Sequence, residues 1–461
     1  MKVIQMKHED QPFMNQQSQL SVAVIGSGIS GLSAFWLLSQ HHQVTLYEKY
    51  DRPGGHTNTV RVETPEGSVP VDTGFIVYNE RNYPNLTAFF RELKVQTSLT
   101  EMSFAVSRDN GQFEYSGSDL GGLLAQKQNL LKPRFWRMLA DLVRFYQTAK
   151  SRAQALPEGT SLGEFLDMEG YSCSFQEDHL LPMAAAIWSA PTETMRSYPL
   201  WAFMDFCDNH GLIQLFNRPQ WRTVVGGSRE YVQVILNGHS ENVKLNTCIQ
   251  SISRKNGKVL VRDRLGGQQI FDAVIIAAHA DEALDLVDNP SSREQEILAR
   301  FQYQRNLAVL HSDSTFMPRR KRAWASWNYL SNETTEDTGG LFVTYWMNKL
   351  QPLNTTSPLF LTLNADQRPE EKLIHRSFLY DHPIFDNGTR QSQRELWEVQ
   401  GQGGIWYCGS YLGSGFHEDG IQAGLAVAEA VGGEKRPWEV KHESGRIDLP
   451  EGWNQQQGVD T

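Results

Sequence analysis

Apolar positions recur at two spacings along this chain. Val22, Ala23, Val24 and Ile25 form an unbroken run of strand length, as expected of a parallel strand buried on both faces. The run breaks at Gly26-Ser27-Gly28-Ile29-Ser30-Gly31, after which Leu32, Phe35, Trp36 and Leu38 follow at helical spacing. The predicted order is strand, glycine turn, helix. Val44 to Glu48 reads as the next strand, and Ser68 to Asn79 as a strand and turn. Residues 82–219 read as a mainly helical insertion, in which Leu86, Phe89, Phe90 and Leu93 share one helical face and Phe135, Met138, Leu139, Leu142 and Tyr146 another. The apolar stretch from His179 to Ser189 is expected to be mostly core.

Further along, Val224 to Arg229 opens a helix carrying Tyr231, Val232, Val234 and Ile235, and residues 242–252 read as a strand. Lys258 to Arg262 and Gln269 to Ala278 supply more strands. Residues 288–400 alternate strand-like runs, such as Leu307 to His311 and Leu341 to Trp346, with polar turns, and Gly404 to Ser410 reads as a last strand. The expected fold class is α/β, with a Rossmann-like dinucleotide-binding domain on a parallel sheet interleaved with a mixed α+β substrate domain. The expected layout is a flexible leader (1–20), a discontinuous dinucleotide domain (21–81, 220–287 and 401–431), a substrate domain (82–219 and 288–400) and a flexible tail (432–461) with little to bury.

Composition narrows the function classes. At 461 residues the chain exceeds one ordinary core, and a net charge of -10 argues against general nucleic-acid binding. Cys173, Cys207, Cys248 and Cys408 are far apart without paired spacing, so no metal site and no disulfide framework is expected, and a reducing cytoplasm fits. The leader lacks the apolar core of a signal peptide, and no apolar run reaches the roughly 18 residues of a spanning helix. Any membrane contact is expected to be peripheral, at the inner surface.

The glycine turn carries the candidate chemistry. Gly26 suits a tight turn, Gly28 lets backbone approach a pyrophosphate, and Gly31 lets the helix lie close to the strand. A glycine-rich surface loop has the same spelling. What separates the two is Glu48, an acid about twenty residues beyond Gly28, where a carboxylate accepts hydrogen bonds from an unphosphorylated ribose. Ile29 and Ser30, at the start of the helix, complete the phosphate turn.

The following Lys49 to Thr57, with Gly54-Gly55-His56-Thr57, resembles the Arg-x-Gly-Gly segment of FAD-dependent amine oxidases, phytoene desaturases and protoporphyrinogen oxidases. That resemblance implies FAD as the cofactor. It also implies that Asp72 and Gly74 lie against the flavin, that the strand containing Ile249 meets the adenine, and that Gly409-Ser410 with Asp419-Gly420-Ile421 closes the flavin site at a helix N-terminus. Backbone N–H groups there stabilise negative charge on a reduced flavin, and Asp419 with Gln422 forms a capping-box-like pair. The chain also resembles a bacterial group of flavin-containing amine oxidoreductases that itself resembles the N-terminal part of plant cyclopropane fatty acid synthases. The marks of that group are Gly54 to Thr59, Arg218 to Trp221, Trp324 to Asn328 and Tyr411 to Gly420.

Three departures from the true amine oxidases bear on chemistry. The strand Leu307 to His311 has no lysine, His56 stands where those enzymes have arginine, and Ser410 and Tyr411 replace an acid near the ribityl chain. The candidates for proton transfer are His417, Glu418, His56 and His311, with Asp313 beside the last. Trp324, Trp327, Tyr345 and Trp346 are candidate channel walls, of which at least half are expected in the core. Three readings stand: an FAD oxidoreductase acting on an apolar small molecule or fatty acyl lipid, a flavoenzyme working without net redox, and a flavin-binding partner of a lipid methyltransferase. Residues 133–152 pattern as a basic amphipathic helix, with Arg134, Arg137, Arg144 and Arg152 opposite the apolar face. The pattern suits peripheral membrane contact and equally an ordinary helix packed on its own core.

Overall fold

The computed structural model describes residues 19–188, 192–214, 218–331, 341–432 and 434–450. The expected leader, apart from Gln19 and Leu20, lies outside the described residues, as do Ser189 and the tail from residue 451. The first apolar run becomes the centre of a five-stranded sheet ordered Val243–Lys244, Gln43–Tyr47, Ser21–Ile25, Ala273–Ile276, Ile405–Tyr407, with every pairing parallel. A parallel sheet must be covered on both faces, which is why these strands are almost uniformly apolar. Helices Ile29–Leu38 and His417–Val431 lie together in the core packed on it. Their approach depends on Gly424, where an added Cβ would fall 2.1 Å from the Ser30 carbonyl oxygen.

Beyond this sheet stands a seven-stranded mixed sheet built from Ile374–Ile384, Gln302–His311, Phe360–Leu363, Leu341–Trp346, Trp327–Ser331, Phe104–Arg108 and Phe113–Ser116. A helical cluster centred on Phe145, Phe165, Phe175 and Phe203 forms a second core. The molecule is thus mixed α/β with one parallel sheet, in agreement with the expected class.

Several local expectations need correction. Residues 242–252 are two elements rather than one strand: Val243–Lys244 joins the parallel sheet, Asn246 turns the chain with φ +52°, and Ile249–Lys255 starts an antiparallel sheet. The boundary at 82 is displaced, because helix Pro84–Glu92 sends Leu86, Phe89 and Phe90 into the dinucleotide core. Residues 434–450 are a strap rather than a loose tail. The Arg436 guanidinium is fully buried against Glu429 (Nε to Oε1 2.7 Å), Trp438 stacks on Trp36, and Arg446 reaches Asp419. The segment is polar in composition, yet its few large side chains each find a buried partner.

Helix Pro133–Ala153 has the expected amphipathy, but its apolar face is core: Phe135, Met138, Phe145 and Ala149 are buried. Arg134 pairs with Asp178 and Glu177, and Arg144 with Asp141 and the Glu169 carbonyl. The apolar face of this helix is therefore committed to the core, although Trp136 in its first turn stays exposed. Among the described residues no helix is long and apolar enough to cross a membrane.

Candidate functional site

Between the parallel sheet and the seven-stranded sheet lies a cavity of about 1100 Å³. Pockets for single small ligands measure roughly 300–1,000 Å³, so this cavity is at the large end and suits an extended ligand such as a dinucleotide. Its nucleotide end is built by the glycine turn. The Ser21–Ile25 strand delivers Gly26, Ser27 and Gly28 to the cavity, and the N-terminus of helix Ile29–Leu38 faces it through Ile29 and Ser30. Gly26 adopts φ +104° with an added Cβ only 2.6 Å from the Ala277 carbonyl oxygen, as a tight turn requires. Gly31 does not line the cavity. Its hydrogen faces the Gly26 carbonyl, so it serves helix–strand packing.

Glu48 lines the cavity with its carboxylate already oriented, Oε2 accepting from Ser27 N (3.1 Å) and Ser27 Oγ, and Oε1 from Tyr50 N (3.0 Å). Lys49, paired with Glu282 at 2.6 Å, and Ile249 also contribute to the walls. In the middle of the cavity stand Gly54, Gly55, His56, Gly74, Gly409, Ser410 and, from the start of the closing helix, His417.

His417 is held tightly. Its Nε2 lies 3.1 Å from Thr57 Oγ1 and 3.2 Å from Tyr231 Oη, and those two hydroxyls bond to each other. Burial pushes its pKa down to about 3, so the ring is neutral. His382, bonded to Asn306 Nδ2 at 3.0 Å, is pushed down to about 4 for the same reason, and His56, beside it and Tyr380, is held well below its ordinary value.

Other expected site residues lie elsewhere. Glu418 is fully buried and turned away from the cavity, accepting from Asn85 N (3.1 Å) and Leu86 N (3.0 Å) at the start of helix Pro84–Glu92. One helical residue is a rotation of roughly 100°, which carries the side chain from the cavity face to the neighbouring helix. His311 sits inside the seven-stranded sheet, bonded to Thr362 Oγ1 at 2.7 Å and to Asp313 N. It lies about 13 Å along the strand from Leu307, which does line the cavity. Asp72 is buried behind the site, where it accepts from Ser228 N, Ser228 Oγ, Thr59 and Gln351 and pins the second glycine loop. Desolvation lifts its carboxyl to about 6.

Thr57 orients His417 from behind. Asp419 is the third residue of its helix rather than its cap: it accepts from Phe416 N at 2.7 Å and meets Arg446, while Gln422 bonds to Glu418. Gly420 packs against Ile29 and Ser30, and Ile421 is core.

The opposite wall was only partly foreseen. Trp327 and Tyr345 line the cavity, whereas Trp324 and Trp346 pack on each other with ring centroids 5.3 Å apart. Trp188, at the end of an apolar stretch that could line a pocket, does so, whereas Met102, Phe206, Tyr380 and His382 also line that wall and were missed. Tyr380 is fixed by Thr73 Oγ1 (2.8 Å) and Asn58 Nδ2 (2.9 Å).

Two observations test the fit to FAD. An added Cβ at Gly28 meets nothing within 4 Å, so the cradle before the helix N-terminus is open to phosphates. His56 Nε2 is buried without a partner, a polar atom that a bound flavin would satisfy. The residues fit the group.

Comparison with known proteins agrees with this geometry. The family model described as "Flavin containing amine oxidoreductase" matches residues 29–432. The chain is 28% identical over 269 residues to an Arabidopsis thaliana protein named "Probable polyamine oxidase 4", covering 56% of this chain and 50% of that one. It thus spans about half the length of that curated relative. Among solved structures, cyclohexylamine oxidase from Brevibacterium oxydans IH-35A matches with TM-score 0.62 and 16% identity over 90% of this chain and 98% of that one. A CLA-producing fatty acid isomerase from P. acnes matches with TM-score 0.58 and 14% identity over 91% and 99%. These two show the fold. The chain belongs to the flavin-containing amine oxidoreductase family, and its cofactor is FAD.

Proposed function

We propose that the protein is an FAD-dependent oxidoreductase that removes a hydride from an apolar substrate, a fatty acyl lipid being the class that fits best. The observation that carries this is the wall facing the flavin end. Met102, Trp188, Phe206, Trp327, Tyr345 and Leu361 present aromatic and aliphatic surface and no carboxylate. The acids that do border the cavity are Glu48, Asp51, Glu282 and Asp285 on the nucleotide-side segments, and Asp381, which Arg305 neutralises at 3.0 Å. A protonated amine entering the aromatic part would lose its hydration without gaining a counter-ion, a cost of several kcal/mol.

When bound, FAD supplies the hydride acceptor. The chain supplies position and an uncharged lining. His417, His382 and His56 are all neutral at pH 7, so none repels an apolar chain or holds an anion by charge. Thr57 and Tyr231 fix the His417 ring, Tyr380 is fixed by Asn58 and Thr73, and the aromatic wall excludes water. The resemblance of Gly54 to Thr59 and Tyr411 to Gly420 to a bacterial flavoprotein group that itself resembles cyclopropane fatty acid synthases supports the same reading.

A second reading is a reaction that uses reduced flavin without net redox, supported by a fold neighbour whose title names a fatty acid isomerase. A third is a flavin-binding partner of a lipid methyltransferase. Anaerobic mixing of the FAD-loaded protein with acyl lipids and, separately, with alkylamines distinguishes them. Bleaching of the flavin by lipid is the expected result. Turnover of lipid only after pre-reduction supports the second reading, bleaching by amines alone overturns the proposal, and no response to either leaves the third.

A further inference from the structure

The segment between strand Phe113–Ser116 and helix Pro133–Ala153 is inside out. Two of its amide side chains point inward: Gln126 accepts from Glu114 N at 2.8 Å and donates to the Gln112 carbonyl, and Asn129 donates to the Glu114 carbonyl at 3.1 Å. Four of its five leucines point outward. Leu120 is 75% exposed, Leu131 86% and, one turn into the next helix, Trp136 53%, with Leu124 and Leu130 exposed beside them. A short segment that buries amides while exposing four leucines and a tryptophan leaves apolar surface uncovered.

The charges around this patch run against the rest of the chain, which carries a net charge of -10. Between residues 119 and 137 stand Lys127, Lys132, Arg134 and Arg137 against Asp119 alone. The turn Lys321–Ala323 packs against helix Leu120–Leu123 and brings the unbroken basic run Arg319 to Arg322 to the same place. Arg134 and Arg320 are neutralised by Asp178 and Glu114. The exposed Lys127, Lys132, Arg137, Arg319, Lys321 and Arg322 have no acidic partner among the described residues.

We propose that Leu120, Leu124, Leu130, Leu131 and Trp136 form an interfacial anchor that inserts into an anionic lipid surface, with the surrounding lysines and arginines against the headgroups. Apolar side chains with an amphipathic aromatic at their edge suit the headgroup boundary, and unpaired cations around them suit an acidic leaflet. A nucleic acid would use the cations and leave the leucines in water. The segment that carries the anchor is tied to the core that reaches the cavity. Leu123 of the same segment packs on the helical core from which Trp188 and Phe206 project to line the cavity. The surface stands apart from the substrate assignment, because vesicle binding is read without turnover.

The test is co-sedimentation of the FAD-loaded protein with phosphatidylglycerol-containing and pure phosphatidylcholine vesicles. It compares the parent with Leu131→Ser/Trp136→Ser and with Lys127→Glu/Lys321→Glu, using flavin content to check folding. The parent is expected to bind anionic vesicles, more weakly as salt rises, and each double variant to bind about tenfold less tightly or worse. Brominated lipid is expected to quench the parent's fluorescence more than that of Trp136→Phe. No sedimentation by the parent, equal binding by folded variants, or a parent dimer that only Leu131→Ser/Trp136→Ser abolishes, would overturn the anchor. In the last case the face belongs to a second copy of the chain.

Discussion

The imidazole of His417 lies flat against the ring of Phe75, with centroids 3.7 Å apart and 13° between the planes. The ring is thus confined on one face by an aromatic and on its edge by the hydroxyls of Thr57 and Tyr231. A histidine caged in this way orients its surroundings and is poorly suited to carry a proton at neutral pH.

The cage has a pH signature. An unfolded histidine titrates near about 6.5, whereas His417 is pushed down to about 3 and His382 to about 4. Below about pH 6.5 the unfolded chain binds more protons, so this stabilisation is complete above that pH and is lost as pH falls toward the folded values. Each such histidine contributes a slope of up to about 1.4 kcal/mol per pH unit. His417→Phe, which keeps the stack, is expected to flatten the stability curve between about pH 6 and 4 by roughly one such slope. Asp72, raised to about 6, acts with the opposite sign but is common to both proteins. Urea unfolding at several pH values measures the difference, and parallel curves would show that His417 is charged in the fold.

Arg436 and Glu429 are both essentially fully buried and bonded through two contacts, at 2.7 and 3.0 Å. Breaking such a pair from one side leaves an uncompensated charge, at a cost of about 3–5 kcal/mol. Arg436→Met is expected to destabilise by that order, and the double variant Arg436→Met/Glu429→Met by clearly less than the two single changes summed. Additive effects in denaturant unfolding would show that the strap is held by packing alone.

His56 Nε2 is buried without a partner in the cofactor-free chain. An unsatisfied polar atom of this kind costs about 1–3 kcal/mol, so His56→Leu is expected to leave the apo-protein as stable or more stable. The same change is expected to weaken FAD binding by about tenfold, the loss of one hydrogen bond. Calorimetric unfolding of the apo form and FAD titration separate the two effects. A destabilised apo variant that binds FAD normally would give His56 a purely structural role.

How much of this was legible in the sequence follows from what side chains report. The glycine turn, Glu48 and the last strand were readable because each couples a backbone requirement to a residue type. Glu418 and His311 were in the right elements, but position along an element does not fix direction. A one-residue helical step turned Glu418 onto helix Pro84–Glu92, and distance along the strand took His311 out of reach. Tyr380 and His382 were missed because strand Ile374–Ile384 is mostly half-buried or exposed and shows no clean alternation. The Arg436 strap escaped because composition counts polar residues without knowing that Glu429 waits for one of them.

Electron supply gives another outcome. Among the described residues there is only one strand, glycine turn and helix unit of the GxGxxG type, so slow direct reduction of the flavin by NADPH is expected. Stopped-flow anaerobic mixing checks this, and rapid stoichiometric bleaching by NADPH would move the protein to the reductases.

The central claim is that FAD occupies the cavity at the glycine turn, and the flavin content of Gly28→Val tests it most directly. Gly28 has φ -65° and ψ 176°, which valine tolerates, and an added Cβ meets nothing of the protein within 4 Å. The substitution should therefore spare the fold and obstruct only the approach of the phosphates. The account predicts a yellow parent with one FAD released on denaturation, and a variant with apo-protein unfolding close to the parent's but less than about a tenth of its flavin. Full FAD occupancy in a folded Gly28→Val protein would contradict the account.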